Sequence, residues 1–233
     1  MISRLGLWRI ESLSKGLKYA RGYSRIDVLK SLLFKEKGYW LHTPYGIFHC
    51  PDIASAMQFS TPWEKHVRKI IGALRNKLFV DVGANIGFYT ILAAYNHNFV
   101  ISVEPNLKTF ICLTDNVLAN FMDKRVELYN VAAWSEDSHV HIASKGYSDV
   151  TKFQANGELT IALKLDSILD GSVPDLVKID IEGAEPEALQ GLSNARRIIF
   201  EALTRSKLEE CRAKLWKYRI ERLDRTNYLA TLT

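Results

Sequence analysis

Leu78-Phe-Val-Asp-Val-Gly-Ala-Asn-Ile-Gly-Phe-Tyr-Thr-Ile-Leu92 reads as a buried strand, a tight glycine turn and the start of a helix. Leu78 to Val82 is a short apolar run broken only by Asp81, as expected of a parallel strand covered on both faces. Gly83 and Gly87 permit a positive φ or a close backbone approach. Phe88, Ile91 and Leu92 then recur at helical spacing. Such a unit is expected to present unpaired backbone N–H groups and a bare edge to a nucleotide-like ligand. Asn85 stands where the dinucleotide fingerprint has its second glycine, and Gly87 comes one residue early. A pyrophosphate needs that second glycine and a phosphate-free ligand does not, so the turn favours S-adenosylmethionine over NAD.

Working outward, Val100-Ile-Ser-Val-Glu104-Pro105 is a second β-branched strand ending in a carboxylate. At this position in a doubly wound sheet a carboxylate accepts hydrogen bonds from ribose hydroxyls. Further strands are expected at 126–131, 176–180 and 197–201, with helices at about 87–95 and 106–121. That alternation implies right-handed crossovers and a mostly parallel sheet. Residues 138–165 read instead as short alternating strands, an antiparallel insertion suited to a substrate wall. On the amino-terminal side, alternation around Thr43-Pro44-Tyr45-Gly46 signals a hairpin, and Trp63 to Leu74 a helix opened by Thr61-Pro62. On the carboxy-terminal side, Ser206 to Tyr218 reads as a basic helix. Ile220 to Leu223 and Tyr228 to Leu232 suit a terminal antiparallel hairpin.

Ligands of open α/β sheets sit beyond the carboxyl ends of the strands. Asn130-Val-Ala132-Ala133-Trp134 is read as the end of the third strand, where small side chains let a flat ring lie against the backbone. Lys178-Ile-Asp180-Ile-Glu182-Gly183-Ala-Glu185-Pro186 puts three carboxylates directly after a buried strand. Glu185 and Glu187 also suit a helix N-terminus, so capping is their ordinary role. Asp180 lacks that explanation: at the tip of an apolar strand it needs a ligand, a base role or a partner such as Lys178. Glu201 ends the next strand in the same way. If the two strands are neighbours, Asp180 and Glu201 converge and share either a divalent cation or a proton from an acceptor hydroxyl. His139 and His141 share a strand face, but with no third ligand nearby they read as exposed strand residues.

Composition frames these motifs. The chain has 233 residues, enough for one α/β domain with an extension, and no apolar run approaches the roughly 18 residues of a membrane span. Arg4, Arg9 and Glu11 interrupt the first apolar residues too early for a signal-peptide core. Three cysteines without metal-ligand spacing suggest reduced thiols and a cytoplasmic location. The net charge of +5 is uneven. Residues 1–37 hold nine Lys and Arg against three Asp and Glu, residues 205–233 eight against four, and the middle fourteen against nineteen. Basic ends of this kind either solvate amphipathic helices or grip nucleic acid or an anionic membrane surface. The expected organisation is a basic amphipathic helical extension over 1–37 and a catalytic domain over 38–233. Within that domain, 38–75 forms a hairpin and helix and 76–233 the core.

Taken together, Asp81 to Thr90, Val103-Glu-Pro105, Asn130 to Trp134, Leu165-Asp-Ser-Ile168 and Val177 to Glu185 resemble the FkbM-type family of S-adenosylmethionine-dependent methyltransferases. The blocks follow the family's order over about residues 40–202. The resemblance implies a Rossmann-like class I methyltransferase fold, with a mostly parallel seven-stranded sheet and an antiparallel terminal strand. It implies that Asp81, Gly83, Ala84, Asn85 and Gly87 line the methionine part of the cofactor. Glu104, followed by Pro105, would hold the ribose, and Ala132 would sit by the adenine. Asp180 and Glu182 would face the methyl group and its acceptor, and Trp63-Glu64 would belong to a cofactor lid. O-methylation of a sugar, glycolipid or other small molecule is the implied reaction. The alternatives are an RNA methyltransferase gripping phosphates with the basic termini, and a non-catalytic cofactor-binding or scaffold domain. A glycolipid acceptor would bring peripheral membrane contact through the N-terminal helices.

Overall fold

The computed structural model of the chain describes residues 39–51, 55–56, 59, 64–143, 152–153 and 156–233. The extension read at 1–37 lies outside the described residues, as do Thr61, Pro62 and Trp63. The expected hairpin is formed by β1 (Tyr39–Thr43) and β2 (Gly46–Cys50), antiparallel across Pro44 and Tyr45. Helix α1 (Lys65–Gly72) follows, then β3 (Leu78–Val82), α2 (Phe88–Tyr95), β4 (Phe99–Val103), α3 (Leu107–Ala119) and β5 (Val126–Tyr129). Asn106 caps α3, its side chain accepting from the N–H groups of Lys108 and Thr109.

The chain leaves the main sheet earlier than the sequence suggests. Ala132–Ala133 form β6, which pairs with β9 (Glu158–Leu163) rather than continuing β5. Together with β7 (Ser138–Ala143) and β8 (Lys152–Phe153) they make a four-stranded sheet in the order β6-β9-β7-β8. This is the antiparallel insertion, with His139 and His141 exposed on β7. Helix α4 (Leu165–Leu169) returns the chain to β10 (Leu176–Ile179), α5 (Glu185–Gln190), β11 (Arg197–Glu201) and α6 (Arg205–Lys214). The Leu165–Ile168 block is structural: Asp166 accepts from the N–H and hydroxyl of Ser193 at 2.8 and 2.5 Å, tying α4 to the loop after α5. Helix α6 stops before Tyr218, whose hydroxyl is held by Ala195, and Tyr218–Arg222 becomes β12. Strand β13 (Asn227–Leu232) closes the hairpin.

The main sheet runs β12-β13-β11-β10-β3-β4-β5, and β13 is its one strand of reversed direction. Strand β3 lies at its centre, with four of its five residues buried. One apolar cluster packs α1, α2, α3 and the hairpin on one face; the other packs α4, α5 and α6 on the opposite face.

The glycine turn is closed by its own chain. Val103 O accepts from the N–H groups of Gly83 and Ala84 at 2.9 and 3.1 Å. Glu104 Oε2 accepts from Asn85 N, Asn85 Oδ1 from Ile86 N, and Ala84 O from Gly87 N. All five N–H groups of residues 83–87 therefore have acceptors, which corrects the expectation of unpaired donors and leaves no cradle for a pyrophosphate. Gly83 has φ 78, and a Cβ there would stand 2.0 Å from the Asp180 carbonyl oxygen. The close approach is that of β10, not of a ligand. Gly83→Ala is expected to cost at least about 3 kcal/mol through the clash and the left-handed backbone. Urea unfolding measures it, and a loss below 1 kcal/mol would contradict this packing.

Candidate active site

The pairing register brings the candidate residues into one line. Val82 lies beside Val103 and Ile179, and Ile179 beside Phe200. One residue further along, Glu104, Gly83, Asp180 and Glu201 follow one another across the carboxyl edge of four adjacent strands. Asn227 of β13 continues the line beside Glu201. Three strand spacings separate Glu104 from Glu201, about 15 Å. Beneath this edge row lies a second, in which Lys178 pairs with Asp81 and Asp81 with Ser102.

Glu104 is buried and its two oxygens accept from the N–H groups of Asn85 and Asn106 at 3.0 and 2.9 Å. Burial pushes its pKa up to about 7 against those two hydrogen bonds. Pro105 is half-buried, and its carbonyl accepts from Asn130, as does that of Glu104. Asn130 thus pins the Glu104 loop to the end of β5. Ala132 is fully buried in the second sheet.

Asp81 is 1% exposed. Its Oδ2 accepts from Thr90 at 2.7 Å, and Thr90 also meets Ser102 at 2.8 Å. Its Oδ1 has no hydrogen-bond partner among the described residues, and burial raises its pKa. A buried carboxylate oxygen without a donor marks a place where a donor is missing.

Lys178 is the organising cation. It is 3% exposed and its Nζ lies 2.8 Å from Asp180 Oδ2 and 5.0 Å above the Tyr89 ring. Burial opposes its charge, but Asp180, Glu64 and Asp81 outweigh that and hold its pKa above the usual range. Glu64, in left-handed conformation just before α1, accepts from the Tyr89 hydroxyl at 2.5 Å and from Asn227 at 3.1 Å. Glu64 thus ties the segment before the core to the last strand, with both oxygens engaged by the protein. Burial first, then Glu64, keeps the Tyr89 hydroxyl protonated.

The loop after β10 neither continues the strand nor begins the helix at once. Glu182 and Gly183 are both left-handed, at φ 57 and 104. Glu185 Oε1 reaches back to accept from the N–H groups of Ile181 and Gly183 at 3.0 and 3.1 Å. Glu185 therefore shapes the loop that carries Glu182. Glu201 is half-buried, and its pKa is pushed up to about 8 by burial and then by the charge of Asp180. Among the described residues no three His, Cys, Asp or Glu side chains gather as a metal site. With Lys178 already bridged to Asp180, the Asp180–Glu201 pair does not fit a protein-held divalent cation.

Neither Tyr89 nor Asn227 is marked as a site residue by the sequence. A tyrosine in a helix and an asparagine in a turn carry no local signal of a partner far along the chain. Lys178 did carry one, because a lysine inside an apolar strand, two residues before Asp180, must share its face.

A model of the methyltransferase FkbM domain matches residues 81–221. The chain belongs to the FkbM methyltransferase family. The matched span starts at Asp81 and takes in every edge-row residue except Asn227. The FkbM chain is 32% identical over 122 residues to the hexuronic acid methyltransferase AglP of Haloferax volcanii, covering 49% of each protein. It is 30% identical over 101 residues to a tRNA(Phe) (4-demethylwyosine(37)-C(7)) aminocarboxypropyltransferase of Pyrococcus horikoshii, covering 43% of this chain and 36% of that protein. The chain thus spans half or less of the length of these relatives. Its fold is similar to that of the T. thermophilus 16S rRNA N2 G1207 methyltransferase solved with AdoMet and guanosine. There the TM-score is 0.52 at 14% identity, covering 84% of this chain and 50% of the other. The class I Rossmann-like fold of FkbM methyltransferases is the fold observed here, with its single reversed strand β13.

Proposed function

We propose that the protein is an S-adenosylmethionine-dependent O-methyltransferase acting on a hydroxyl group of a sugar or other small molecule. The observation that carries this reading is the Asp180–Glu201 carboxyl pair at one end of the edge row, with Glu104 at the other. Its spread of about 15 Å suits a nucleoside at Glu104 and an acceptor at Glu201. Asp81 Oδ1, lacking a donor, fits the ammonium of a methionine moiety by its chemistry. The saturated glycine turn suits a ligand without phosphates. Bound S-adenosylmethionine supplies an electrophilic methyl group.

The protein's own work is binding, positioning and proton transfer. Glu104 accepts the ribose hydroxyls, and Asp180, fixed by Lys178, orients the acceptor hydroxyl. Glu201 takes the proton that the hydroxyl releases as its oxygen gains the methyl group. With its pKa near 8, Glu201 holds a proton at neutral pH and becomes a base above it. The expected kcat/KM therefore rises about tenfold per pH unit below 8 and levels off above. Glu201→Gln should remove both the slope and most of the rate. A rate unchanged between pH 6 and 9 would reject Glu201 as the base. The same shift, raised from 4.5, means that Glu201 costs folding stability increasingly as pH rises from 4.5 to 8.

A sugar acceptor is supported by the likeness to a hexuronic acid methyltransferase. An RNA acceptor draws support from the tRNA-modifying relative and the sequence pI of about 9.0. RNA binding that weakens steeply with salt would favour that second reading.

A further inference from the structure

Just past Glu201 the structure holds a cavity that the proposed transfer chemistry does not use. Its volume is about 390 Å³. Its walls come from the residues that follow β11, the first turns of α6, the end of β12 and the turn into β13. Four arginines line it: Arg205 and Arg212 from α6, Arg222 from the end of β12, and Arg225 from the turn. Against these four guanidinium groups the lining offers one carboxylate, Glu209, which sits 3.2 Å from Arg212. Arg222 is fixed by two backbone carbonyls, its Nε donating to Asp224 O at 2.6 Å and its Nη2 to Arg225 O at 2.7 Å. Arg205 and Arg225 have no carboxylate partner among the described residues. Helix α6 begins at the same wall, so its dipole adds positive potential there.

Four exposed arginines from three separate elements around one concavity, two of them without a carboxylate partner among the described residues, concentrate positive potential there and favour an anion. Planar guanidinium groups match a carboxylate or phosphate by paired hydrogen bonds. The location gives this meaning. Ala202 lines the cavity and adjoins Glu201 in sequence, at a Cα spacing of about 3.8 Å. Tyr228 lines it too and adjoins Asn227. Alternation along the strands turns Glu201 toward the Lys178 face and Ala202 toward the α6 face. At the carboxyl edge of the sheet these two faces meet. A cavity of this size accommodates a ligand of one or two sugar rings.

We infer that this arginine-lined cavity binds the oxyanion, carboxylate or phosphate, of an acidic sugar acceptor whose hydroxyl reaches over the sheet edge to Asp180 and Glu201. The inference rests on the methyltransferase reading above and adds to it the charge of the acceptor and the place where that charge is held.

The test uses the full chain, with S-adenosylhomocysteine binding measured first by calorimetry. The saturated protein is then titrated with D-glucuronate, D-glucose 6-phosphate, D-glucose and a 20-nucleotide single-stranded RNA. The comparison is the double variant Arg205→Gln, Arg225→Gln, whose changed side chains are solvent-exposed. Wild type should bind glucuronate or glucose 6-phosphate at least about tenfold more tightly than glucose, the effect of one or two charged hydrogen bonds. Whichever acid wins tells carboxylate from phosphate. The variant should lose that preference and bind S-adenosylhomocysteine unchanged. Equal binding of the three sugars by wild type, or a preference that survives in the variant, overturns the inference and leaves the methyltransferase reading intact. RNA binding that the variant loses, with no competition from either acidic sugar, overturns it in favour of a nucleic-acid track. Failure of wild type to bind S-adenosylhomocysteine removes the methyltransferase reading, and this inference with it.

Discussion

Lys178→Met is expected to destabilise the protein by about 3–5 kcal/mol, the usual cost of breaking a buried ion pair by removing one partner. Its ammonium bridges Asp180 and offsets the charges of Glu64 and Asp81, two side chains only 8% and 1% exposed. Without it, Asp180, Glu64 and Asp81 lose the buried cation that offsets their charges. Methionine nearly matches the lysine stem, so lost packing contributes little. Urea unfolding at pH 7 reads the effect. A second variant, Lys178→Met with Asp180→Asn, should recover part of the loss because one of the stranded charges is gone. A single-variant loss below 1 kcal/mol, or no recovery in the double variant, would mean that Lys178 does not organise the site electrostatically.

Asp180→Asn is expected to lower kcat by roughly a thousandfold while S-adenosylhomocysteine affinity stays within about threefold. Asparagine keeps the side-chain shape and leaves the carbonyl packed against Gly83. It removes the charge that fixes Lys178 and that raises the pKa of Glu201. The Glu201 pKa should therefore fall, moving the rise in any residual activity to lower pH. A parallel loss of S-adenosylhomocysteine binding would make Asp180 part of the cofactor site instead. Turnover above a tenth of wild type would remove it from the reaction.

Much of this architecture is written locally in the chain. The run Leu78–Val82, the glycines at 83 and 87 and the carboxylate at 104 are near neighbours in sequence. Strand and helix periodicity therefore place them at one sheet edge. The convergence of Asp180 and Glu201 follows from neighbouring parallel strands of similar length. The sequence could not show which atom fills the space over Gly83, because the Asp180 carbonyl arrives from almost a hundred residues away. Nor could it show that the chain turns out of the main sheet after Tyr129, since Ala132 and Ala133 suit either sheet. Glu64 and Asn227 meet across 163 residues, and nothing near either one announces the other. The four arginines of the cavity read in sequence as a solvated basic helix and hairpin. Only the fold, which sets α6 and the β12–β13 turn around one cavity, brings these exposed arginines to a common space.

The most direct test of the account is calorimetric titration of the full chain with S-adenosylhomocysteine, with NAD and a Glu104→Ala variant as controls. Micromolar binding of S-adenosylhomocysteine and none of NAD is the expected result, with the variant weaker by about a hundredfold through loss of two charged hydrogen bonds to the ribose. Affinity should also tighten as pH rises through about 7, where Glu104 ionises. Failure of the wild-type chain to bind S-adenosylhomocysteine, or undiminished binding by Glu104→Ala, would contradict the edge-row site.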